Sequence, residues 1–262
     1  MIKKTMRWLA KALLLLGLGN EVAHGEDYSP AKEDKKPKVS GSVSTTLTTD
    51  YVSKQGFVNG SGPASQSYLG INLGKGLTAF TWLNYDLTDD ELSEVDVGVS
   101  YAKSGLFGLK GLSGSVNLQK WMYPSERFSS IKGEKGEPDY VGEVSASYSD
   151  PDNPSSAKVD LTLTHHLTDP GNFIHNRIHG KLSKPIPLIA SRRGSFSLVP
   201  EISSAWNHEH YGLNGFSQVT PGVGLRWKNG NVSVTVEGKR QISLDNKIED
   251  NTRCMVTAGY DF

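Results

Sequence analysis

The sequence predicts an all-β fold, an antiparallel up-and-down transmembrane β-barrel of about 12 strands. Three observations carry that expectation. Apolar and polar residues alternate at period 2 in segment after segment from Val39 onward, the pattern of strands with one apolar face. Hydrophobic residues are only 36 % of 262, mean hydropathy is −0.40 and glycines number 28. A soluble domain of this length needs more core side chains, whereas a barrel must be apolar only on the outward half of each strand. Finally, no apolar run approaches the length of a membrane helix, so a membrane span must be built from strands.

Met1–Gly25 has the layout of a cleavable secretory signal peptide. Lys3, Lys4, Arg7 and Lys11 precede the apolar run Ala12–Gly19, and Ala23-His24-Gly25 offers a small-x-small exit. The run is too short to span a bilayer, and no cysteine follows it for lipoprotein processing. Removing the segment takes four basic residues and one acidic residue from 28 of each, leaving a net charge of −3. A nucleic-acid partner calls for a strongly basic face, so none is implied. Cys254 is the only cysteine, which excludes an internal disulfide. Glu26–Lys38 is charged, carries two prolines and lacks periodicity, reading as a flexible periplasmic leader before a barrel over residues 39–262.

Val39, Val43, Leu47 and Tyr51 alternate with Ser and Thr in a first strand, followed by the Gly- and Asn-rich loop Lys54–Ala64. Leu69, Ile71 and Leu73 mark a second, turned at Gly74-Lys75-Gly76. A third runs over Leu77–Leu87 and turns at Thr88–Glu91. Val95, Val97, Val99 and Tyr101 alternate with Glu94, Asp96, Gly98 and Ser100 in the fourth. Leu112, Gly114, Val116 and Leu118 carry the fifth, which ends at Trp121-Met122-Tyr123-Pro124. Beyond the charged loop Ser125–Glu137, a sixth holds Tyr140, Val144, Ala146 and Tyr148, and Asp150–Pro154 is a turn. Val159, Leu161, Leu163 and His165 mark the seventh; Ile174, Ile178 and Leu182 the eighth. Pro185–Gly194 reads as a connector, long for a periplasmic turn. Phe196, Leu198, Ile202 and Trp206 follow in the ninth, then Val219, Val223, Leu225 and Trp227 in the tenth. Asn229-Gly230 is a hairpin signal, because both residues tolerate positive φ. Val232, Val234 and Val236 open the eleventh strand, and Thr252–Phe262 is the twelfth. An even count puts the loops after odd strands on the outer side.

A secreted soluble sandwich or lipocalin-like barrel shows the same alternation with its apolar face inward. Two features favour lipid outside. Tyr51, Tyr101, Trp206, Trp227 and Tyr260 sit near strand ends on the apolar face, as interface girdles do, and the opposite face carries too many charges for a dry core.

Thr46-Leu47-Thr48-Thr49-Asp50-Tyr51-Val52, followed by Gly56-Phe57, resembles the opening of the proteobacterial conserved-hypothetical outer-membrane proteins, whose first strand ends in a T-x-x-D-Y-x-x-R-G-type motif. Trp121-Met122-Tyr123-Pro124 is similar to that family's aromatic-Y-P strand end, and Asp139-Tyr140-Val141-Gly142-Glu143 to its D-Y-x-E strand start. Lys54-Gln55-Gly56 departs from the family's Arg-Gly. The resemblance covers roughly residues 39–150 together with the terminal Phe262, itself similar to the closing strand of outer-membrane barrels. It implies a barrel and an outer-membrane address, without a mechanism.

On the barrel reading the polar face lines a lumen. It presents Glu94, Asp96, Glu143, Asp160, Glu201 and Glu237 with Lys158, Arg177, Lys181, Arg226 and Lys239. Charges of both signs in a narrow space should pair. They form either an ion-paired wall that holds the barrel together or a small polar channel whose selectivity they set, and twelve strands leave only a narrow bore. Ser125–Glu137 is either a mobile surface loop or a constriction folded into the mouth. His208-Glu209-His210 puts two histidines on one face, while His175 and His179 would lie about 13 Å apart if extended. No set of three or four converging metal ligands is visible. His165-His166 is the only suggestive base for a lipid hydrolase, and no motif pairs it with a nucleophilic serine; no Gly-rich phosphate loop stands in a strand–helix context. Neither metal nor cofactor is implied. The expected role is a narrow passive channel for small polar solutes or ions. A non-conducting structural or surface barrel is the alternative, ahead of a lipid hydrolase or a soluble periplasmic β-protein. Expected partners are outer-membrane lipid and lipopolysaccharide, with barrel-assembly machinery engaged through Tyr260 and Phe262.

Overall fold

The computed structural model describes residues 39–52, 62–124, 139–153, 155–167, 176–210 and 213–262, with 209 and 210 in backbone only. The signal-peptide and leader readings fall outside these residues, as do the loop Ser125–Glu137 and most of Lys54–Ala64.

Thirteen strand elements form one antiparallel sheet. They are β1 (Ser40–Thr48), β2 (Ala64–Gly74), β3 (Leu77–Asp86), β4 (Glu91–Ser104), β5 (Leu112–Met122), β6 (Asp139–Ser149), β7 (Lys158–His166), β8 (Asn176–Ser183), β9 (Ile186–Ser191), β10 (Gly194–His210), β11 (Leu213–Asn229), β12 (Val232–Ser243) and β13 (Asn251–Asp261). A short 3-10 turn at Leu106–Gly108 is the only helical element among the described residues. Each strand pairs with its neighbours in sequence, except that β8 pairs with β10 and not with β9, and β13 returns to β1 with Ser42 opposite Asp261 and Thr48 opposite Met255. Gly41 and Phe262 finish the seam with reciprocal backbone hydrogen bonds of 2.6 and 2.8 Å. The result is a closed barrel of twelve strands.

The thirteenth element, β9, lies beyond the ring. Ser183 sits opposite Glu201 and Ile186 opposite Leu198 in unbroken register along β10. β8 and β9 are therefore one strand interrupted at Lys184-Pro185, where proline has no N–H to give the ladder. On its other side β8 pairs with β7 only as far as Ser183 opposite Lys158. The segment 185–194, read above as a connector, is thus the arm of a hairpin that carries β10 and β11, at 17 residues each, past the end of β7. A second correction concerns the next hairpin. Asn229 pairs with Val232, so the two turn residues are Gly230 and Asn231, with Gly230 at φ 55. The first central position of such a turn requires positive φ, and glycine supplies it without strain.

The alternation resolves into an outer and an inner face. Val97, Val99 and Tyr101 on β4, Val116 and Leu118 on β5, and Leu161 and Leu163 on β7 all stand exposed. Among the described residues, buried polar side chains outnumber buried apolar ones. That inverts the distribution of a soluble barrel, so the lipocalin-like alternative does not hold and the exposed apolar surface is the lipid-facing surface of a transmembrane barrel. Tyr101 and Trp206 face outward as expected. Tyr51 does not: β1 ends at Thr48, whose hydroxyl bonds to the Asp50 carbonyl, and this local turn swings Tyr51 inward, where it is buried.

Two bulges sit on opposite sides of the barrel, six strands apart around the ring. At β3–β4 the extra residue is Ser93, and Asn84 Nδ2 donates to its Oγ at 2.6 Å. At β10–β11 it is Ser217, and Asn207 Nδ2 donates to its Oγ at 2.6 Å. All four side chains are fully buried. Each bulge absorbs one residue, so that Glu94 and Gln218, the next in chain, face the interior.

Closure of the seam depends on Gly41, where an added Cβ would lie 2.1 Å from the Gly70 carbonyl oxygen and 2.9 Å from Phe262 Cζ. Gly41→Val is expected to destabilise the barrel by about 1–3 kcal/mol through overpacking. A lowered urea midpoint of the refolded protein in lipid, read from the gel shift between folded and heated forms, checks this.

Candidate functional site

Inward-facing residues of the barrel strands enclose a cavity of about 680 Å³. Its walls are unlike one another. β2, β3 and β5, with the segments that follow β1 and β5, supply an aromatic wall of Tyr51, Tyr68, Phe80, Trp82, Trp121 and Tyr123. Tyr51 packs against Trp82 at 6.2 Å between centroids, and Tyr68 stacks on Phe80 at 6.1 Å. Counted around the ring, β2 faces β8, β3 faces β10 and β5 faces β12. On that facing side Arg177, His179 and Lys181 form a column along β8, joined by Lys239 and Arg253 from β12 and β13.

Two carboxylates of the aromatic half, Glu94 and Glu143, accept hydrogen bonds from neutral donors. The Tyr51 hydroxyl donates to Glu94 Oε2; burial, and then the Glu94 charge, push the phenol pKa well above its ordinary value, so it stays a donor. Glu143 accepts from Gln119 Nε2 at 2.6 Å and from the Thr164 hydroxyl at 3.1 Å. Asp96 lines the cavity between them in chain order.

The opposite half is partly ion-paired. Lys239 Nζ lies 2.7 Å from Glu201 and 3.3 Å from Glu237. Asp160 lies 3.0 Å from Lys158 and 3.8 Å from Lys181. Arg177 differs: it is 6 % exposed, makes no ion pair among the described residues, and its Nε has no hydrogen-bond partner. Arg253 likewise keeps a buried Nη1 without a partner.

Of the charged residues read from sequence, Glu94, Asp96, Glu143, Arg177, Lys181, Glu201 and Lys239 line the cavity. Asp160 and Glu237 stand beside it as partners of Lys181 and Lys239. Arg226 does not join them: it lies exposed near the turn end of β11, on the part of the strand that extends past β7. The aromatic wall, Gln119 and Arg253 were missing from the sequence reading. Their signal was parity, since Tyr68 and Trp82 fall off the outward register of Leu69, Ile71 and Leu83.

The histidines divide. His166 is buried, its Nδ1 2.6 Å from Asp139 Oδ2 and its ring edge-on to Trp121. His165 belongs to the other face of β7 and bonds through Nδ1 to Asn176 Oδ1 at 3.0 Å. The two therefore serve no common site. His208 stacks on Trp206 on the outer surface, while His175 and the side chains of Glu209 and His210 lie outside the described residues. No group of three metal-ligating side chains is present among the described residues.

The Lys239 cluster makes a stability test. Lys239→Met leaves Glu201 and Glu237 without their shared cation and is expected to cost roughly 2 kcal/mol, given partial exposure. Adding Glu201→Gln should recover most of that loss in urea unfolding; equal stability of the single variant and wild type would show the cluster to be inert.

No family model matches this chain, and no curated protein matches it either. Solved structures do match in fold. A KdgM porin superposes with a TM-score of 0.53 at 13 % identity, over 84 % of this chain and 99 % of its own. LpxR from Salmonella typhimurium superposes with a TM-score of 0.55 at 8 % identity, over 84 % of this chain and 100 % of its own. At such identities the likeness is one of fold: this chain is built as outer-membrane β-barrels are.

Proposed function

We propose that this protein is an outer-membrane barrel whose lumen passes small polar solutes or ions. The observation that carries the reading is the lumen itself, a cavity of about 680 Å³ walled by ionisable and hydrogen-bonding side chains in place of a packed apolar core. Such a wall replaces part of the hydration of a solute crossing the membrane, and charges at close quarters set selectivity. The similarity of fold to a porin agrees with it. The lumen charges named above then act on the passing solute. A non-conducting barrel is the second reading, favoured by the bridging of β10 and β12 through Glu201 and Lys239. Lipid hydrolysis has less support, because His165 and His166 lie on opposite faces of β7.

Under the same proposal the chain is exported by cleavage after Gly25, seats its apolar belt in outer-membrane lipid and lipopolysaccharide, and is assembled through Tyr260 and Phe262. Thr46–Val52, with its resemblance to the proteobacterial conserved-hypothetical barrels, points to the same address.

In planar bilayers the purified protein is expected to give discrete current steps that grow with salt concentration; silent bilayers at both polarities oppose the channel reading and leave the ion-paired barrel. Phe262→Ala is expected to lower the amount of folded barrel in outer-membrane fractions several-fold, and an unchanged amount would remove its assembly role.

A further inference from the structure

Three observations meet at the hairpin of β9 and β10. Its outward face is apolar and continues the lipid-facing surface. Ile189, Phe196, Trp227 and Val234 follow one another across β9, β10, β11 and β12 in one row of the ladder. The next outward row is Ile186, Leu198, Leu225 and Val236. Ile186, Ile189, Phe196, Leu225 and Val236 stand exposed, so the lipid-facing surface runs without a break from the wall into β9.

The tip of the hairpin is basic. Lys184, Arg192, Arg193, Arg226 and Lys228 are all exposed, and no acidic residue occurs over residues 184–200 or 221–236. On the seam side Asp261 stands beside Asn231 of the adjoining turn; one carboxylate does not offset five cations.

The same tip holds an indole against the two arginines. Ser191 pairs with Gly194, which makes Arg192 and Arg193 the turn residues, and Ser191 Oγ accepts from the Arg193 N–H at 3.1 Å. Gly194 has φ 119, and a Cβ there would lie 2.5 Å from Trp227 Nε1. The indole lies over that bare backbone and donates to the Arg193 carbonyl at 3.3 Å. Tryptophan settles where a bilayer meets water, and guanidinium groups just beyond it match the geometry of phosphate.

The hairpin stands at the turn end of the barrel, with the start of β1 and the end of β13. Short turns of such barrels face the periplasm, where the leaflet of the outer membrane is phospholipid. A protein strand added to the open edge of β9 is the competing occupant. Pro185 and Pro187 withhold N–H donors there, and the ladder shifts register between Pro187 and Ile189. Edges of that kind resist strand addition.

We propose that this hairpin binds the anionic phospholipid of the surrounding leaflet, Arg192 and Arg193 taking the headgroup phosphate and Ile186, Ile189, Phe196 and Trp227 the chains next to it. The proposal does not depend on whether the lumen conducts.

The test reads tryptophan emission of the folded protein in phosphatidylcholine bilayers that contain a minority of lipid with brominated chains, either phosphatidylglycerol or phosphatidylcholine. Subtracting the emission of Trp227→Phe isolates Trp227. At low salt, brominated phosphatidylglycerol should quench Trp227 at a bilayer fraction about fivefold below brominated phosphatidylcholine, the scale of a cation at an anionic surface. The double variant Arg192→Gln, Arg193→Gln should bring the two lipids together, and raised salt should narrow the gap. Lys103→Gln with Lys110→Gln, which removes the same charge near the turn between β4 and β5, should leave the preference in place. Equal quenching by the two lipids, or a preference that survives the arginine variant, overturns the proposal. Quenching by neither lipid means that protein, a second copy of this chain, covers the hairpin, and overturns it as well. Where Trp227→Phe does not fold, the total emission of wild type and the arginine variant decides.

Discussion

Everything in this fold depends on the seam between β1 and β13. Within hydrocarbon, a backbone N–H or C=O without a partner costs several kcal/mol, so a sheet survives there only when its last strand finds its first. The pairing of Ser42 to Thr48 with Asp261 to Met255, capped by Gly41 and Phe262, meets that demand. The position of β9 follows the same rule. Its outer edge has no sheet partner among the described residues, and it lies past the end of β7, beyond the length of wall where an open edge would be most costly. Pro185 and Pro187 occur there and nowhere within β8.

Closure imposes the second constraint. Once the apolar parity faces lipid, the other parity faces inward whatever it contains. Here it contains more charge and amide than aliphatic carbon, and the barrel satisfies it in distinct ways. Glu94 and Glu143 take neutral donors from Tyr51, Gln119 and Thr164. Lys239 bridges two glutamates. Asn84 with Ser93 and Asn207 with Ser217 bury paired amides and hydroxyls at bulges on opposite sides of the ring. Bulges strengthen local twist and re-aim the following side chain, which is how Glu94 and Gln218 reach the cavity without disturbing the outward register.

Much of this was legible in sequence because period 2 is a strong signal. Val95 to Tyr101 alternates so cleanly with Glu94 to Ser100 that both faces of β4 could be assigned residue by residue. The faces themselves were not ordered by alternation alone; Leu161 and Leu163 become lipid-facing only through the fold. Where the period breaks, the reading fails for a physical reason. Tyr51 lies beyond the last ladder pair of β1, where a Thr48–Asp50 turn resets its direction. Arg226 shares the parity of lumen residues, but parity does not report height along the axis, and β11 extends past the cavity. Pro185 looked like a loop residue, yet the ladder resumes on its far side in the same register. Of the aromatic wall only Tyr51 reads as a girdle residue in sequence; Tyr68, Phe80 and Trp82 sit between the outward residues of their strands, and that parity places them inside.

Height and angle around the ring also decide what the charges do. By composition the lumen is a balanced mixture, which argues for mutual neutralisation. By position it is not. A unit pair at 4 Å interacts by about 4 kcal/mol at a partly screened effective dielectric and by about 1 kcal/mol in water, so an ion pair forms only within a side chain's reach. Glu201 and Glu237 are within reach of Lys239 and share its charge. Glu94 and Asp96 stand on β4, four places around the ring from the β8 column. The rings of Tyr68, Phe80, Trp82 and Trp121 fill the wall on either side of them, so β2, β3 and β5 bring bulk and amides to the described lining and no charge. The same inward parity thus gives an aromatic wall on one side and the Glu201–Lys239 pair on the other, because closure fixes which way a side chain points and leaves its chemistry to the residue.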